Sequence, residues 1–265
     1  FAVNEKRLGA LIPACKKLGL EYDFFSFYAE DKLLDDFPED FLENEYLVFA
    51  NIPVLLYTQR RSPEYYKREE DFYKYNEHLL KMVYGDNLYK CEQEYIFDGI
   101  KAGSIAYLPM LNEGNEILKM EELAGRTFDD VVFMKPNSAY KEFIGGVTLP
   151  GESFEDYLVR KKYCGKEVEV MLSPYYEIHS EYRFFVYDDI VATGSSYIVD
   201  GVFNDKVAIP DEVMSKAVEL AKLYQPTKCF TLDLCLLKNG DIKIVEYNHF
   251  SASGNYQNDM SKVFE

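Results

Sequence analysis

The stretch CFTLDLCLLKNGDIKIVEYN, residues 229–248, decides the fold of this chain. Two runs of alternating apolar residues flank an Asn-Gly dipeptide, which is the strongest short-range signal for a hairpin with a two-residue type I′ turn. In that turn Lys238 faces Asp241. Because antiparallel partners then keep a constant sum of residue numbers, the turn predicts every cross-strand pair of the hairpin.

This register brings two carboxylates together. Asp233 falls opposite Glu246, and Thr231 falls opposite Asn248. Glu246 and Asn248 then share one face, with Asp233 beside them. Facing carboxylates lie about 5 Å apart and destabilise a sheet by up to about 1 kcal/mol, unless a cation binds them. Oxygen ligands suit Mg²⁺ better than zinc. The hairpin therefore predicts a magnesium site, or alternatively an exposed acidic face or one carboxyl with a raised pKa.

A second hairpin is predicted upstream, in HSEYRFFVYDDIVATGSSY at 179–197, with its turn at the Asp-Asp dipeptide. Glu181 and Arg183 then share a face, with Arg183 opposite Gly194 and Glu181 opposite Ser196. The guanidinium suits phosphoryl oxygens and the carboxylate suits ribose hydroxyls. The alternative is an ordinary cross-strand surface pair.

A lysine ends a third strand, in VVFMKPNSAYKEFIGGVTLPG at 131–151. Lys135 follows the apolar run, and the loop after it contains Lys141, Gly145 and Gly146. Glycines let backbone N–H groups approach phosphates, and lysine adds a positive charge, although the pattern is neither a Walker A nor a Rossmann motif. A solvated strand end is the alternative.

The rest of the chain supplies the domain organisation. From residue 131 onward short strands alternate with turns, and helices are predicted over Glu152–Lys162 and Asp211–Tyr224, which is an α+β arrangement. Before it, a helix over Glu5–Leu20, a buried strand at 47–58 and a helix at 60–84 indicate an α/β unit, followed by a polar passage at 112–130. The predicted domains are 1–105 and 106–265.

Composition narrows the classes of function. The net charge of −17 disfavours nucleic acids and anionic membranes as partners, so nucleic acid is unlikely but not excluded. No apolar run approaches the roughly 20 residues of a membrane span, and no signal peptide begins the sequence, which predicts a cytoplasmic protein. Five cysteines without a CxxC pair indicate reduced core thiols, and three scattered histidines give little support to zinc or a histidine triad.

Taken in order, the Lys-Pro strand with its glycine loop, the Glu-x-Arg strand and the Asp strand followed by Glu-x-Asn resemble an ATP-grasp enzyme. The likeness covers about 105–265 and is closest to the small R-two-K clade of phage and bacterial genomes, with a more distant resemblance to RimK-type ligases. EYRFFVYDDIVATGSSY and IKIVEYNHFSASGNY carry most of it. It implies two α+β subdomains whose antiparallel sheets sandwich ATP, preceded by an α/β domain that helps to shape the acceptor site.

The resemblance also implies the roles of individual residues. Lysines and the glycine loop would contact the ATP phosphates, the strand from Met171 to Tyr176 would form the adenine hinge, Glu181 would hold ribose and Arg183 the transferred phosphoryl group. The implied nucleotide-binding residues are Lys135, Lys141, Gly145, Gly146, Met171, Leu172, Glu181 and Arg183. The implied Mg²⁺ ligands are Asp233, Glu246 and Asn248, and the implied catalytic residues are Lys135 and Arg183.

The function that follows is an ATP- and Mg²⁺-dependent carboxylate–amine ligase acting through an acyl phosphate on small-molecule or peptide substrates. The alternatives are an ATP-grasp phosphotransferase or ATP-binding regulator, and an acidic interaction protein. Two features depart from the pattern. Ser195, Ser196 and Tyr197 stand where RimK-type enzymes have two arginines, which argues against their acidic substrates, and an upstream phosphate-binding lysine has only Lys90 as a candidate.

Overall fold

The computed structural model describes residues 5–22, 27–28, 32–33, 108–112, 115–137, 142–165, 167–225, 229–250 and 253–265. The elements predicted at 47–58 and 60–84 lie outside these ranges, as do Lys90 and Lys141. The boundary near residue 105 therefore stays a prediction.

The described helices and strands follow one another in an α+β order. They are α1 (Glu5–Leu18), β1 (Phe27–Tyr28), β2 (Lys32–Leu33), β3 (Glu116–Lys119), α2 (Met120–Leu123), β4 (Thr127–Phe128), β5 (Val132–Pro136), β6 (Gly146–Val147), β7 (Glu152–Ser153), α3 (Phe154–Arg160), β8 (Glu169–Pro174), β9 (Ile178–Tyr187), β10 (Ile190–Val199), β11 (Val202–Phe203), α4 (Asp211–Leu223), β12 (Cys229–Leu237), β13 (Ile242–His249) and α5 (Met260–Phe264).

Two antiparallel sheets dominate the described part of the chain. The larger has five strands in the order β11-β10-β9-β12-β13, and the smaller has four in the order β3-β8-β5-β6. The strands of the two predicted hairpins, the strand ending near Lys135 and the strand predicted at Met171 to Tyr176 are all present. The polar passage at 112–130, in which no helix or strand is predicted, contains β3, α2 and β4. This segment was missed because β3 has only two half-buried apolar residues, Ile117 and Leu118.

Period-two alternation divides the larger sheet into an apolar and a polar face. Tyr182, Phe184 and Leu232 are buried on the apolar face, where α4 packs through residues such as Val213 and Leu220. Asp211 begins α4 directly after Pro210, as predicted. The opposite face carries the predicted site residues of this sheet, which are Glu181, Arg183, Asp233, Glu246 and Asn248. Helix α4 therefore supplies the hydrophobic burial that stabilises this sheet while leaving its other face to polar chemistry.

The 229–248 hairpin has the predicted pairing at Asp233 and Thr231, but its turn and one bulge were not predicted. Leu237 pairs with Asp241 around a three-residue loop, and only Gly240 in that loop has positive φ, so the two-residue type I′ turn is wrong. A bulge at Val245 then inserts one residue into β13. The two deviations cancel. Asp233 faces Glu246 and Thr231 faces Asn248, as the sequence predicts.

The Glu-x-Arg hairpin does turn at its Asp-Asp dipeptide, whose two residues both have positive φ. Its predicted register is wrong, however. Bulges in β10 place Arg183 opposite Ser195 instead of Gly194, and Glu181 opposite Ile198 instead of Ser196. Glu181 and Arg183 still share a face because the bulges lie in the partner strand.

Gly194 therefore makes room for an aromatic ring and not for a guanidinium. A Cβ added there would lie 2.5 Å from Phe184 Cδ1 and 2.9 Å from Ile209 Cδ1. We expect Gly194→Ala to lower the free energy of unfolding by about 1–3 kcal/mol through overpacking, measured by urea denaturation. Gly254→Ala is the matched control, because its Cβ would meet nothing closer than 3.4 Å. An unchanged midpoint for Gly194→Ala would contradict this packing.

Helix α1 packs against the C-terminal part of the chain. Ala14 joins a buried cluster with Phe185, Phe250 and Met260, and Lys17 Nζ donates a hydrogen bond of 2.8 Å to Ser261 Oγ. The helix ends at Leu18, two residues earlier than predicted, and is followed by Gly19 with φ +67, where glycine avoids the strain of a left-handed conformation.

The expectation that the cysteines lie in the core holds only in part. Cys235 is buried and burial raises its thiol pKa to about 12, whereas Cys164 is exposed and is not a core residue. Cys91 lies outside the described ranges. No helix within the described residues is long and apolar enough to cross a membrane.

Candidate functional site

A cleft of about 1910 Å³ has walls from both sheets. Most of the predicted site residues line it, although they are spread over more than a hundred positions of the sequence. Those that line it are Lys135, Gly145, Gly146, Glu181, Arg183, Asp233, Glu246 and Asn248. The fold therefore brings the lysine strand, the Glu-x-Arg strand and the carboxylate hairpin to one place.

The centre of the polar face is a buried ion pair between neighbouring strands. Arg183 lies directly opposite Asp233 across the β9–β12 pairing. Arg183 Nε donates to Asp233 Oδ1 at 2.8 Å, and Nη2 donates to Oδ2 at 2.6 Å, which is the planar two-bond geometry of the strongest ion pairs. The Arg183 side chain is 8% exposed and that of Asp233 is 0% exposed. This contact was not predicted, since the sequence assigned the two residues separate roles.

Two tyrosines cover the ion pair on its cleft side. Tyr197 and Tyr256 stack with ring centroids 4.8 Å apart, and the Arg183 guanidinium lies 5.2 Å from the Tyr256 ring centroid. Tyr197 also donates a hydrogen bond of 2.6 Å from its hydroxyl to Glu181 Oε2. Of the three residues standing in place of the RimK-type arginines, only Tyr197 lines the cleft. At the position of the two RimK-type arginines, an aromatic side chain therefore lines this cleft.

The hairpin carboxylate Glu246 is the more accessible of the facing pair. Its side chain is 27% exposed, and Asn248 Nδ2 donates to its Oε1 at 2.8 Å. Asn248 Nδ2 also lies 3.4 Å from Asp233 Oδ2, and Arg183 Nη2 lies 3.8 Å from Glu246 Oε1. The predicted ligand trio is therefore contiguous, with Glu246 closest to solvent.

Three carboxylates lie near the Arg183 guanidinium, and two of them, Glu181 and Asp233, have raised pKa values. Burial raises the pKa of Glu181, and the nearby charges of Asp233 and Glu246 raise it further. Burial likewise raises the pKa of Asp233, while the ion pair with Arg183 opposes that rise. A cation beside Glu246 would relieve this repulsion.

The donor set fits a magnesium ion that shares its coordination with a bound ligand. Within the described residues, no group of three or more His, Cys, Asp or Glu side chains is arranged to hold a metal by itself. Mg²⁺ commonly takes one or two protein carboxylates and completes its shell with water and substrate phosphates. Glu246 is the accessible carboxylate for such a shared site. Both Asp233 oxygens accept hydrogen bonds from Arg183, and Asn248 directs its Nδ2 at Glu246, so the roles of Asp233 and Asn248 as ligands stay predictions.

The opposite wall carries the lysine and the glycines. Lys135 lies in β5 and lines the cleft together with Gly145 and Gly146. A Cβ added to Gly145 would lie 2.9 Å from Lys135 Cβ, so the glycine permits close packing against the lysine. Among the described residues of the four-stranded sheet that line the cleft, Lys135 is the one cationic side chain.

The predicted adenine hinge lies only partly at the cleft. The side chains of Met171 and Leu172 are buried in β8, at 1% and 5% exposure, and are not part of the lining. Pro174, Tyr175 and Tyr176, which follow directly, do line the cleft. The role of Met171 and Leu172 in binding a nucleotide stays a prediction.

The segment after β13 forms part of the site, although no residue in it was assigned a site role from the sequence. Tyr256 stacks on Tyr197, and Asn258 Nδ2 donates to Ser195 Oγ at 2.7 Å, so this segment closes one end of the polar face. It has no strand or helix periodicity. Its signals in the sequence were its polar composition and its overlap with IKIVEYNHFSASGNY, which carries part of the family resemblance.

Comparison with known proteins identifies a family. The profile described as ATP-grasp domain, R-two-K clade family 2, matches residues 116–265, which is more than half of the chain. No curated protein matches the sequence.

Several solved ligases are distantly similar in structure. The ATP-grasp ligase PsnB with its minimal precursor has 15% identity and a TM-score of 0.38, over 68% of this chain and 54% of that one. D-alanine–D-alanine ligase from Bacillus anthracis with ATP has 15% identity and a TM-score of 0.38, over 67% and 56%. The chain thus matches about half the length of these ligases. Since the family profile covers more than half of its residues, the chain belongs to family 2 of the R-two-K clade of ATP-grasp domains and has the predicted α+β ATP-grasp fold.

Proposed function

We propose that the protein is an ATP- and Mg²⁺-dependent carboxylate–amine ligase. The supporting observation is the cleft, which has Lys135 and the glycines on one wall and Arg183, Asp233 and Glu246 on the other. Cations on one side and oxygen ligands on the other suit a nucleotide triphosphate that carries Mg²⁺.

In this proposal Lys135 binds phosphate oxygens as a mobile positive charge, and the adjacent glycines allow close backbone approach. Glu181 accepts hydrogen bonds from ribose, and Pro174, Tyr175 and Tyr176 lie against the base. Glu246, Asn248 and Asp233 would hold Mg²⁺, which neutralises charge on the phosphates when bound. Arg183 holds Asp233 in place through two hydrogen bonds.

The chemistry proposed is activation of a carboxylate as an acyl phosphate, followed by attack of an amine to form an amide. Such a reaction depends on positioning and charge neutralisation and needs no covalent protein nucleophile. The substrates are small-molecule or peptide carboxylates and amines.

The test is ADP release by the purified chain with Mg²⁺ and ATP, with panels of carboxylates and amines added separately and together. A ligase releases ADP fastest when both substrates are present, and the amide appears by mass spectrometry. ADP release that needs one acceptor and yields a phosphorylated product would replace the ligase by a phosphotransferase. If calorimetry finds no Mg²⁺-dependent ATP binding, the proposal fails.

A further inference from the structure

Strand β6 lies at an edge of the four-stranded sheet, so alternate carbonyls of its backbone point away from β5. Two cationic side chains at the end of α3 bind these outward carbonyls. Lys161 Nζ donates to Gly145 O at 3.1 Å, and Arg160 Nη2 donates to Val147 O at 2.8 Å. The end of α3 thus takes the place of a further strand along the glycine segment, defined here as residues 144–147.

A buried tyrosine fixes the carbonyl between those two. The Tyr157 hydroxyl lies 3.2 Å from Gly146 O and 2.8 Å from Met134 O, so its one proton is shared between carbonyls of β6 and β5. Tyr157 is 0% exposed. Three successive carbonyls, at 145, 146 and 147, therefore accept hydrogen bonds from three side chains of one helix end.

The arginine of this group is itself held in place. Arg160 Nε and Nη2 donate to the two carboxylate oxygens of Glu152 at 2.6 and 2.7 Å. The Glu152 side chain is only 6% exposed, and its pKa is lowered mainly by the hydrogen bond from Arg160. Glu152 therefore fixes the Arg160 side chain that binds the glycine segment.

The glycine pair is packed between two lysines. A Cβ on Gly146 would overlap Lys161 Nζ, and a Cβ on Gly145 would crowd Lys135 Cβ. Lys161 is not among the described residues that line the cleft, whereas Lys135 is. A shift of Lys161 would therefore move the glycine segment relative to Lys135 without removing a group that faces the cleft.

We infer that Lys161, supported by Tyr157 and Arg160, is a positioning residue that holds the glycine segment against Lys135 and so preorganises the phosphate-binding wall of the cleft. This inference rests on the proposed function, in which that wall binds ATP. Preorganisation raises affinity because ordering the segment costs nothing further when the ligand binds.

The test compares Lys161→Ala with Lys162→Ala, which removes the same charge from the next, exposed residue. We expect Lys161→Ala to raise the KM for ATP about tenfold, the effect of one charged hydrogen bond, with kcat within about twofold of wild type because the reacting groups are untouched. Lys162→Ala should leave both constants unchanged. A fall in kcat at constant KM, or equal effects of the two variants, would overturn the inference.

A second readout needs no nucleotide. Backbone amides of 144–148 should exchange hydrogen faster in Lys161→Ala than in wild type or Lys162→Ala, since the segment has lost its anchor. Unchanged exchange would refute the positioning role whatever the kinetics. If wild type binds no ATP, the proposed function fails, while the exchange experiment still decides whether Lys161 holds the segment.

The overlap at Gly146 provides a double-variant test. Gly146→Ala should displace Lys161 and weaken ATP binding, and this loss should largely disappear when it is introduced into Lys161→Ala, where the obstructing amine is absent. Additive losses in ATP affinity would show that Gly146 acts independently of Lys161 and would contradict the proposal.

Discussion

Replacing Asp233 by Ala is expected to destabilise the protein by about 3–5 kcal/mol and to abolish ATP turnover. Asp233 is completely buried, and both of its carboxylate oxygens accept hydrogen bonds from Arg183. Its removal leaves a guanidinium that is 8% exposed without its principal counter-charge. Glu246 is 3.8 Å from the same guanidinium and is partly solvated, so it compensates only in part. Urea denaturation and ADP release measure the two effects.

A double variant separates stability from catalysis. Arg183→Met combined with Asp233→Leu replaces the ion pair by apolar side chains, and such replacements often restore or exceed the original stability. We therefore expect its unfolding midpoint to lie above that of Asp233→Ala, with ATP turnover still absent. Recovery of turnover in the double variant would show that neither charged group takes part in the reaction.

A surface pair provides the control for this experiment. Lys216 and Glu219 lie 2.7 Å apart on α4, but Glu219 is 60% exposed, so Lys216→Ala should change stability by less than about 1 kcal/mol. If Asp233→Ala unfolds at the wild-type midpoint, the buried pair contributes nothing to the fold. Full ATP turnover by Asp233→Ala would remove Asp233 from the proposed Mg²⁺ site.

In the carboxylate hairpin, the pairing of Asp233 with Glu246 could be predicted although the turn could not. Alternation of apolar residues in 229–248 assigns each side chain to a face, and burial of the apolar face under α4 enforces that assignment. The loop and the Val245 bulge depend on local backbone geometry, which apolar alternation does not encode. Asp233 met Glu246 because two one-residue deviations compensate.

The Arg183–Asp233 ion pair is a contact that the sequence patterns could not predict. The presence of each hairpin could be predicted, because its two strands are adjacent in sequence, although the register of the Glu-x-Arg hairpin was wrong. The pair joins β9 to β12, whose pairing depends on how the separate hairpins dock, and no turn between them specifies that register. Tyr256 and the side chains at the end of α3 were missed for the same reason. They approach the site through tertiary packing and carry no periodic signal of their own.

Replacing Glu246 by Gln is expected to reduce Mg²⁺-dependent ATP turnover by about 100-fold or more, since outer partners of bound metals already cost up to that much when they are changed. The fold should remain intact. Glu246 is 27% exposed, and the glutamine keeps an oxygen that can accept the hydrogen bond from Asn248. What the substitution removes is the negative charge that attracts a cation. Calorimetric titration with Mg²⁺ in the presence of ATP measures that loss directly, and urea denaturation checks the fold.

Glu177→Gln is the matched control for Glu246→Gln, because Glu177 is an exposed carboxylate 3.7 Å from Lys238 and does not line the cleft. It should change neither Mg²⁺ affinity nor turnover. ATP affinity measured without Mg²⁺ should not fall in Glu246→Gln, since loss of a nearby carboxylate reduces repulsion of the phosphates. This opposite dependence on Mg²⁺ distinguishes a metal ligand from a residue that merely shapes the cleft. Equal loss of ATP affinity with and without Mg²⁺ would assign Glu246 to the cleft wall alone.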